Sequence, residues 1–214
     1  MLPIGDDNPD RTGPPLATYG LIAINAVVFL LELGGGDPFV MRWAFVPARF
    51  LAGPLADAPT ILSAMFMHAG WMHLLGNMLY LYIFGDNIET RFGVGPFLAF
   101  YLVCGVAATF AQLAVDPGSS IPNLGASGAI AGVLGAYILL FPHGRVRVLA
   151  RGGIIALPAL WVIGFWFVLQ LLSGAGSLAE TTSTGGVAYL AHIGGFVAGL
   201  ALAFVYQGLR PRAS

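Results

Sequence analysis

Two glycine-flanked stretches carry side chains of the types that acyl transfer needs. In Asn123-Leu124-Gly125-Ala126-Ser127-Gly128-Ala129-Ile130-Ala131-Gly132 a polar loop turns into an apolar helix with a serine at the turn. In Ala191-His192-Ile193-Gly194-Gly195-Phe196-Val197-Ala198-Gly199 a histidine follows, sixty-five residues downstream. A hydroxyl buried in an apolar medium without a partner costs roughly 2 to 7 kcal/mol, so Ser127 requires an acceptor close by, and His192 is the best candidate. A serine nucleophile and a histidine base must meet at about 2.6 to 3.2 Å. The start of the serine helix offers the Ser127 backbone N–H and the positive end of a helix dipole to a developing oxyanion. His73 and Asn77 are four residues apart, share a helical face and add side-chain N–H donors to the same oxyanion. Asp116 and Glu180 fall in loops and Glu32 on the first helix, so the reading is a dyad without a third, acidic member.

Helices must bring these groups together. Apolar runs comparable to the roughly 20 residues of a spanning helix occur near 16–33, 71–86, 94–115, 126–142, 153–173 and 186–207. Gly34-Gly35-Gly36 ends the first and Ser173-Gly174-Ala175-Gly176 the fifth. The second and fourth are short, which predicts helices that begin below the membrane surface in a cavity sheltered by protein. His73, Asn77 and Ser127 then stand at helix starts, and His192 lies about 9 Å into the sixth helix, at the same depth. Gly125, Gly128, Gly132 and Gly135 form one smooth stripe, and His192, Gly195 and Gly199 another, so the two helices are expected to pack backbone to backbone.

With 57% hydrophobic and 9% charged residues, the chain reads as a polytopic membrane protein, and its net charge of −1 leaves no basic surface for nucleic acid. All nine cationic residues are arginines. With the N-terminus cytoplasmic, Arg11, Arg91, Arg145, Arg147, Arg151, Arg210 and Arg212 fall on the inner side and only Arg42 and Arg49 outside, as the positive-inside rule requires; both termini are then cytoplasmic. Residues 1–15 read as a short cytoplasmic tail, 16–207 as one six-helix domain and 208–214 as a short cytoplasmic C-terminal tail. The long segment 34–70 is expected to lie half-submerged as short helices at 41–51 and 60–67, with Trp43 and Trp71 near headgroup level. Residues 174–186 read as a mobile cap over the outer cavity. Asn25, Glu32 and Gln170 are expected to hydrogen-bond between helices or at their boundaries, and Glu89 and Arg91 to tie the inner loop between the second and third helices.

Gly125-Ala126-Ser127-Gly128, the His192 stretch quoted above and His68-Ala69-Gly70-Trp71-Met72-His73-Leu74-Leu75-Gly76-Asn77 together resemble the rhomboid intramembrane serine proteases. The resemblance runs from the first helix to the sixth. It implies an all-α integral membrane protein with a six-transmembrane-helix bundle and a membrane-embedded first loop. It also implies Ser127 as nucleophile, His192 as general base, and His73 and Asn77 at the oxyanion hole. The substrates implied are single-span membrane proteins cut near the outer face, with no cofactor; the arginine-only basicity and the short tails point separately to a bacterial inner membrane. One departure stands out: some rhomboids carry an aromatic residue four positions after the serine, packed on the histidine ring, where this chain has Ala131.

Two other classes fit parts of the pattern. His68, His73 and His192 have the chemistry of a three-imidazole metal site, but no HExxH motif accompanies them and Ser127 would be idle. A transporter or a scaffold for other transmembrane helices would use the glycine stripes for packing alone. His68, five residues from His73, falls on another helical face, and His143 satisfies a helix end.

Overall fold

The computed structural model describes residues 2–179 and 189–209. Its centre is a helix, Ser127–Leu140, whose residues from Gly128 to Tyr137 are all buried. Around it stand Leu16–Trp43 (α1), Trp71–Phe92 (α5), Val94–Val115 (α6), Ala159–Ala179 (α8) and Tyr189–Leu209 (α9), the central helix being α7. Three short helices, Pro47–Ala52 (α2), Pro54–Asp57 (α3) and Pro59–Ser63 (α4), and a 3-10 turn Ala64–Phe66 lie between α1 and α5. Each of the three opens on a proline, which is preset for the first helical position and lacks the amide that would go unpaired there. Among the described residues, three helices are long and apolar enough to cross a membrane: α1, α6 and α9. Ser127–Leu140 and Ala159–Leu169 are shorter apolar segments.

Not all of the fold is helical. Leu2–Asp6 (β1), Arg145–Ala150 (β2) and Gly153–Pro158 (β3) form an antiparallel sheet in the order β1-β2-β3. This corrects the all-α expectation, the reading of residues 1–15 as a plain tail, and the start of the fifth apolar run, whose first six residues are β3. The cause is a period of two: Val146 and Val148 are buried and Arg145 and Arg147 exposed, while Gly153 at φ 120 closes the hairpin. The glycine triplet does interrupt α1 as expected: Gly36, at φ 57 and ψ −153, is non-helical, and a second short helical stretch follows it directly, carrying Pro38 and running to Trp43. Beyond 179 the cap expected at 174–186 lies outside the described residues, as do Arg210, Arg212 and the side chain of Gln170; 174–179 continue α8.

Buried polar groups tie the elements. Glu89 does not serve its own loop: its carboxylate accepts the Ala17 and Thr18 N–H groups (2.9 and 2.8 Å) and the Thr18 hydroxyl (2.8 Å), capping the first turn of α1. The Arg91 carbonyl accepts the Tyr206 hydroxyl, which joins the end of α5 to α9. Asn25 bonds within its own helix, to Leu21 O at 2.7 Å. In the first loop Arg49 donates to Asp57 Oδ1 (2.7 Å) and to the carbonyls of Ala44 and Met41. That loop is stitched in turn to the segment before α7: Phe45 and Asn123 exchange backbone bonds of 3.1 and 2.7 Å, and Gly125 N–H donates to Ala64 O at 2.9 Å.

At the far end of α7 the Tyr137 hydroxyl donates to Asp6 Oδ2 at 2.7 Å and Asn87 donates to the same oxygen, so β1 is latched to α5 and α7. Burial, with the nearby Asp86 charge adding, pushes the Asp6 carboxyl up to about 6 against the lowering effect of the Tyr137 bond. A carboxyl whose folded pKa is raised favours the folded state when protonated, and that contribution is lost as pH rises through the folded value. The melting temperature of the unaltered protein should therefore fall relative to Asp6→Asn between about pH 4 and 6. A difference that stays flat across this window, in thermal scans of the two proteins in detergent, would count against a buried, titrating Asp6.

Candidate active site

Ser127 is the first residue of α7, so its N–H is among the amides that find no acceptor inside the helix. The chain reaches it through Gly125 at φ 136, a left-handed conformation that other residues rarely adopt. A Cβ on Gly125 would also stand 2.9 Å from His73 Cε1. Gly125 is thus no part of the expected interhelical stripe; it lets the loop pass against the imidazole of α5.

The remaining stripe glycines make the seam. A Cβ on Gly195 would strike the carbonyl of Gly128, one on Gly199 the carbonyl of Gly132, and one on Gly135 the carbonyl of Phe196. Backbone therefore lies on backbone between α7 and α9, closer than any side chain permits. Gly128 and Gly132 also abut Ala108 and Cys104 of α6. At this separation two short side chains meet: His192 Nε2 lies 2.7 Å from Ser127 Oγ. His192 is 7% exposed. The contact has the length of a nucleophile-to-base hydrogen bond.

The pair opens into a cavity of about 610 Å³ whose walls include His73, Thr109, Gly125, Ser127, Gly128 and His192. On the rim, the Ala69 N–H donates to His73 Nδ1 at 3.3 Å. A nitrogen that accepts carries no proton, so the neutral ring bears its proton on Nε2, the atom beside Gly125. Asn77 stands one turn deeper and is not among the cavity-lining residues; its side-chain N–H2 is buried with no partner among the described residues. The structure thus brings Ser127, His192 and His73 to one cavity and leaves Asn77 behind its wall.

Two features of the site have no signal in sequence spacing. His68 precedes α5 rather than lying on it, and its ring meets His73 edge to face at 5.1 Å while its N–H donates to Glu32 Oε2 at 3.0 Å. Helical spacing separates His68 from His73, and that argument fails because Ala69 and Gly70 are not helical. The second feature is the indole of Trp166 on α8, 5.9 Å from the His192 ring. The alanine at 131 raises the question of what flanks that ring, but no sequence spacing points to α8.

Helices long and apolar enough to cross a membrane, with a serine–histidine contact in a walled cavity between them, define a class: integral membrane proteins that hold a hydroxyl against an imidazole inside the bundle. The model of the rhomboid domain matches residues 56–208, and the chain belongs to that family. It is 27% identical over 89% of its length to the mitochondrial Rhomboid protein 1 of Saccharomyces cerevisiae, spanning 53% of that protein. It is 30% identical over 92% of its length to the Rhomboid protease GluP of Bacillus subtilis, spanning 37% of it. The bovine mitochondrial presenilin-associated rhomboid-like protein is 34% identical over 61% of the chain. The chain thus spans about half or less of these relatives' length. They come from mitochondria as well as from a bacterium, so the inner bacterial membrane expected from sequence has no support in them.

The seam sets the expected behaviour of Gly195→Ala. A methyl there would fall on the Gly128 carbonyl, which as backbone cannot turn aside, so α9 must move away, at a cost of about 1 to 3 kcal/mol. Unfolding in mixed micelles should register that loss, as Ser127 and His192 separate. Wild-type stability in Gly195→Ala would mean that the two backbones are not in contact.

Proposed function

We propose that this protein is an intramembrane serine endopeptidase that cuts single-span membrane proteins through Ser127 and His192. The observation that carries the reading is the 2.7 Å approach of His192 Nε2 to Ser127 Oγ inside a cavity bounded by helices. The relative named as a rhomboid protease, from Bacillus subtilis, supports it. In this reading α1, α5, α6, α7, α8 and α9 are six spans, with the first loop embedded beside them. The arginine distribution favours the sheet end as the inner side and the cavity as the outer one.

The chemistry follows from where the protons go. His192 Nε2 accepts the Ser127 hydroxyl proton while Oγ forms a bond to the scissile carbonyl carbon, and the carbonyl electrons move onto oxygen. The Ser127 N–H and the His73 Nε2–H stabilise that oxyanion, and Asn77, whose buried N–H2 has no partner among the described residues, joins them only by turning that group through the wall into the cavity. Collapse of the intermediate breaks the C–N bond, and the imidazolium returns its proton to the leaving amine. A water entering from the cavity then gives up a proton to His192 and attacks the acyl-serine, which releases the acid product and restores the hydroxyl. No metal is required by these steps.

Cleavage of a model single-span substrate in proteoliposomes tests the assignment. Ser127→Ala and His192→Ala should each reduce kcat by at least about a thousandfold, and chelator should have no effect. Substrate helix bound but left intact by the unaltered protein would favour a scaffold, and loss of cleavage on chelation would favour a metal site. His73→Ala should lower kcat by roughly a hundredfold with little change in KM, since its donor acts on charge present only in the transition state. An effect confined to KM would remove His73 from the oxyanion hole. Because His192 must be neutral to accept the proton, kcat should fall in step with protonation of its ring; cleavage that persists at a pH where NMR shows that ring protonated speaks against it as base.

A further inference from the structure

The serine–histidine contact depends on how the imidazole ring of His192 is held, and α7 does little to hold it. The residue one turn after Ser127 is Ala131, fully buried and presenting only a methyl group. The flat surface beside the ring comes from another helix. Trp166 of α8 stands with its ring centroid 5.9 Å from that of His192 and the two planes inclined by 40°.

The placement of Trp166 is specific. α8 carries two tryptophans, and the other, Trp161, is 73% exposed on the outer side of the helix, as is Phe165 beside Trp166 at 68%. Trp166 itself is half-buried and packs on the core. Its rotation is set by the next residue. Phe167 stacks on Phe196 at 4.2 Å with planes 23° apart, and Phe196 is one turn beyond His192 on the same face of α9. Two successive aromatic side chains of α8 therefore meet two successive turns of α9, which ties the two helices together beside the imidazole.

Indole offers two things to an imidazole at this distance. Its area restricts rotation of the ring, which keeps Nε2 aimed at Ser127 Oγ. Its π-face is electron-rich and attracts a cation within about 6 Å, more strongly than phenylalanine or tyrosine does. His192 is neutral before the reaction and becomes a cation as it takes the serine proton, so this attraction strengthens at the transition state and lowers the barrier.

We propose that Trp166 is a positioning residue for His192, holding its ring toward Ser127 and stabilising the imidazolium formed as the hydroxyl proton is transferred. The proposal rests on the reading of Ser127 and His192 as a catalytic pair. It makes α8 part of the machinery and not only a wall, because a displacement of α8 that carries Trp166 away from α9 slows the chemical step.

The test uses the full chain in proteoliposomes, with Trp166→Leu, which keeps apolar bulk without a π-face, and Trp166→Phe, which keeps a smaller aromatic face. Two rates are read: cleavage of a single-span substrate, resolved into kcat and KM, and covalent labelling of Ser127 by a fluorophosphonate, which needs no helix entry. Trp166→Leu should lower kcat and the labelling rate together by roughly fivefold to tenfold, with KM within about twofold. Trp166→Phe should recover a large part of both. Unaltered labelling in Trp166→Leu, equal losses in the Leu and Phe variants, or a change confined to KM would each overturn the proposal. If the Leu variant does not fold, the Phe variant decides alone: a two- to fourfold fall in labelling supports the role and an unchanged rate removes it. Ser127→Ala is run beside them. Persistent cleavage in that variant would bring down the catalytic reading itself, whereas its loss together with full activity in both Trp166 variants would bring down only the role of Trp166.

Discussion

Backbone contact between α7 and α9 is the constraint on which the rest depends. In a bilayer, lipid tails compete for apolar side chains, so helices gain by approaching more closely than lipid can. Gly128, Gly132, Gly135, Gly195 and Gly199 remove the side chains that would prevent it. The approach has a chemical consequence, since serine is short and cannot reach a histidine on a helix spaced by leucines. Packing and reactivity thus arise from the same glycines.

That seam must be held in register from both ends. On the side of Ser127 the first loop provides the anchor: the Phe45–Asn123 bridge and the Gly125–Ala64 bond fix the chain immediately before the serine, and Arg49 holds the loop together from within. On the other side Asp6, Tyr137 and Asn87 join the first strand to α5 and α7. Glu89 ends the same region by accepting the unpaired amides of α1. Each of these is a polar group taken out of water and given a partner, which is the condition for keeping it in an apolar bundle. α7, buried along its length and too short to span comfortably by itself, is suspended between them.

Within this frame the elements around the pair have separate tasks. α5 contributes His73, whose tautomer is set by the Ala69 amide, and the passage of Gly125 beside it brings that ring to the cavity. α6 lines the floor with small residues where Gly128 and Gly132 meet Ala108 and Cys104. α8 presents many apolar side chains outward, yet it carries Trp166 against His192. A helix that faces away from the bundle along much of its surface is thus the one that touches His192.

Much of this is legible from residue types and spacing alone. Long apolar runs predict α1, α6 and α9 because a spanning helix must hide its backbone from lipid, and glycines at helical spacing predict a close seam. Ser127 and His192 stand out because a polar group at such a seam needs a partner. The sheet escapes a reading of the sequence because β1 is short and pairs with a strand far along the chain, Leu2 lying opposite Leu149; only the alternation at 145–150 hints at it. Gly36 reads as a stop and does break the helix; the short helical stretch that follows it at once is not legible, because a glycine breaker carries no information on whether the residues beyond it take up helical turns again. His68, Glu89 and Trp166 have partners on other elements, and local periodicity carries no information about which side chains distant segments bring together. Sequence by itself determined the membrane class, the family and the two polar side chains that need each other at the seam. The 2.7 Å between those side chains, the donor tautomer of His73 and the indole beside His192 were decided only by tertiary structure, because each depends on how helices far apart in the chain are rotated against one another.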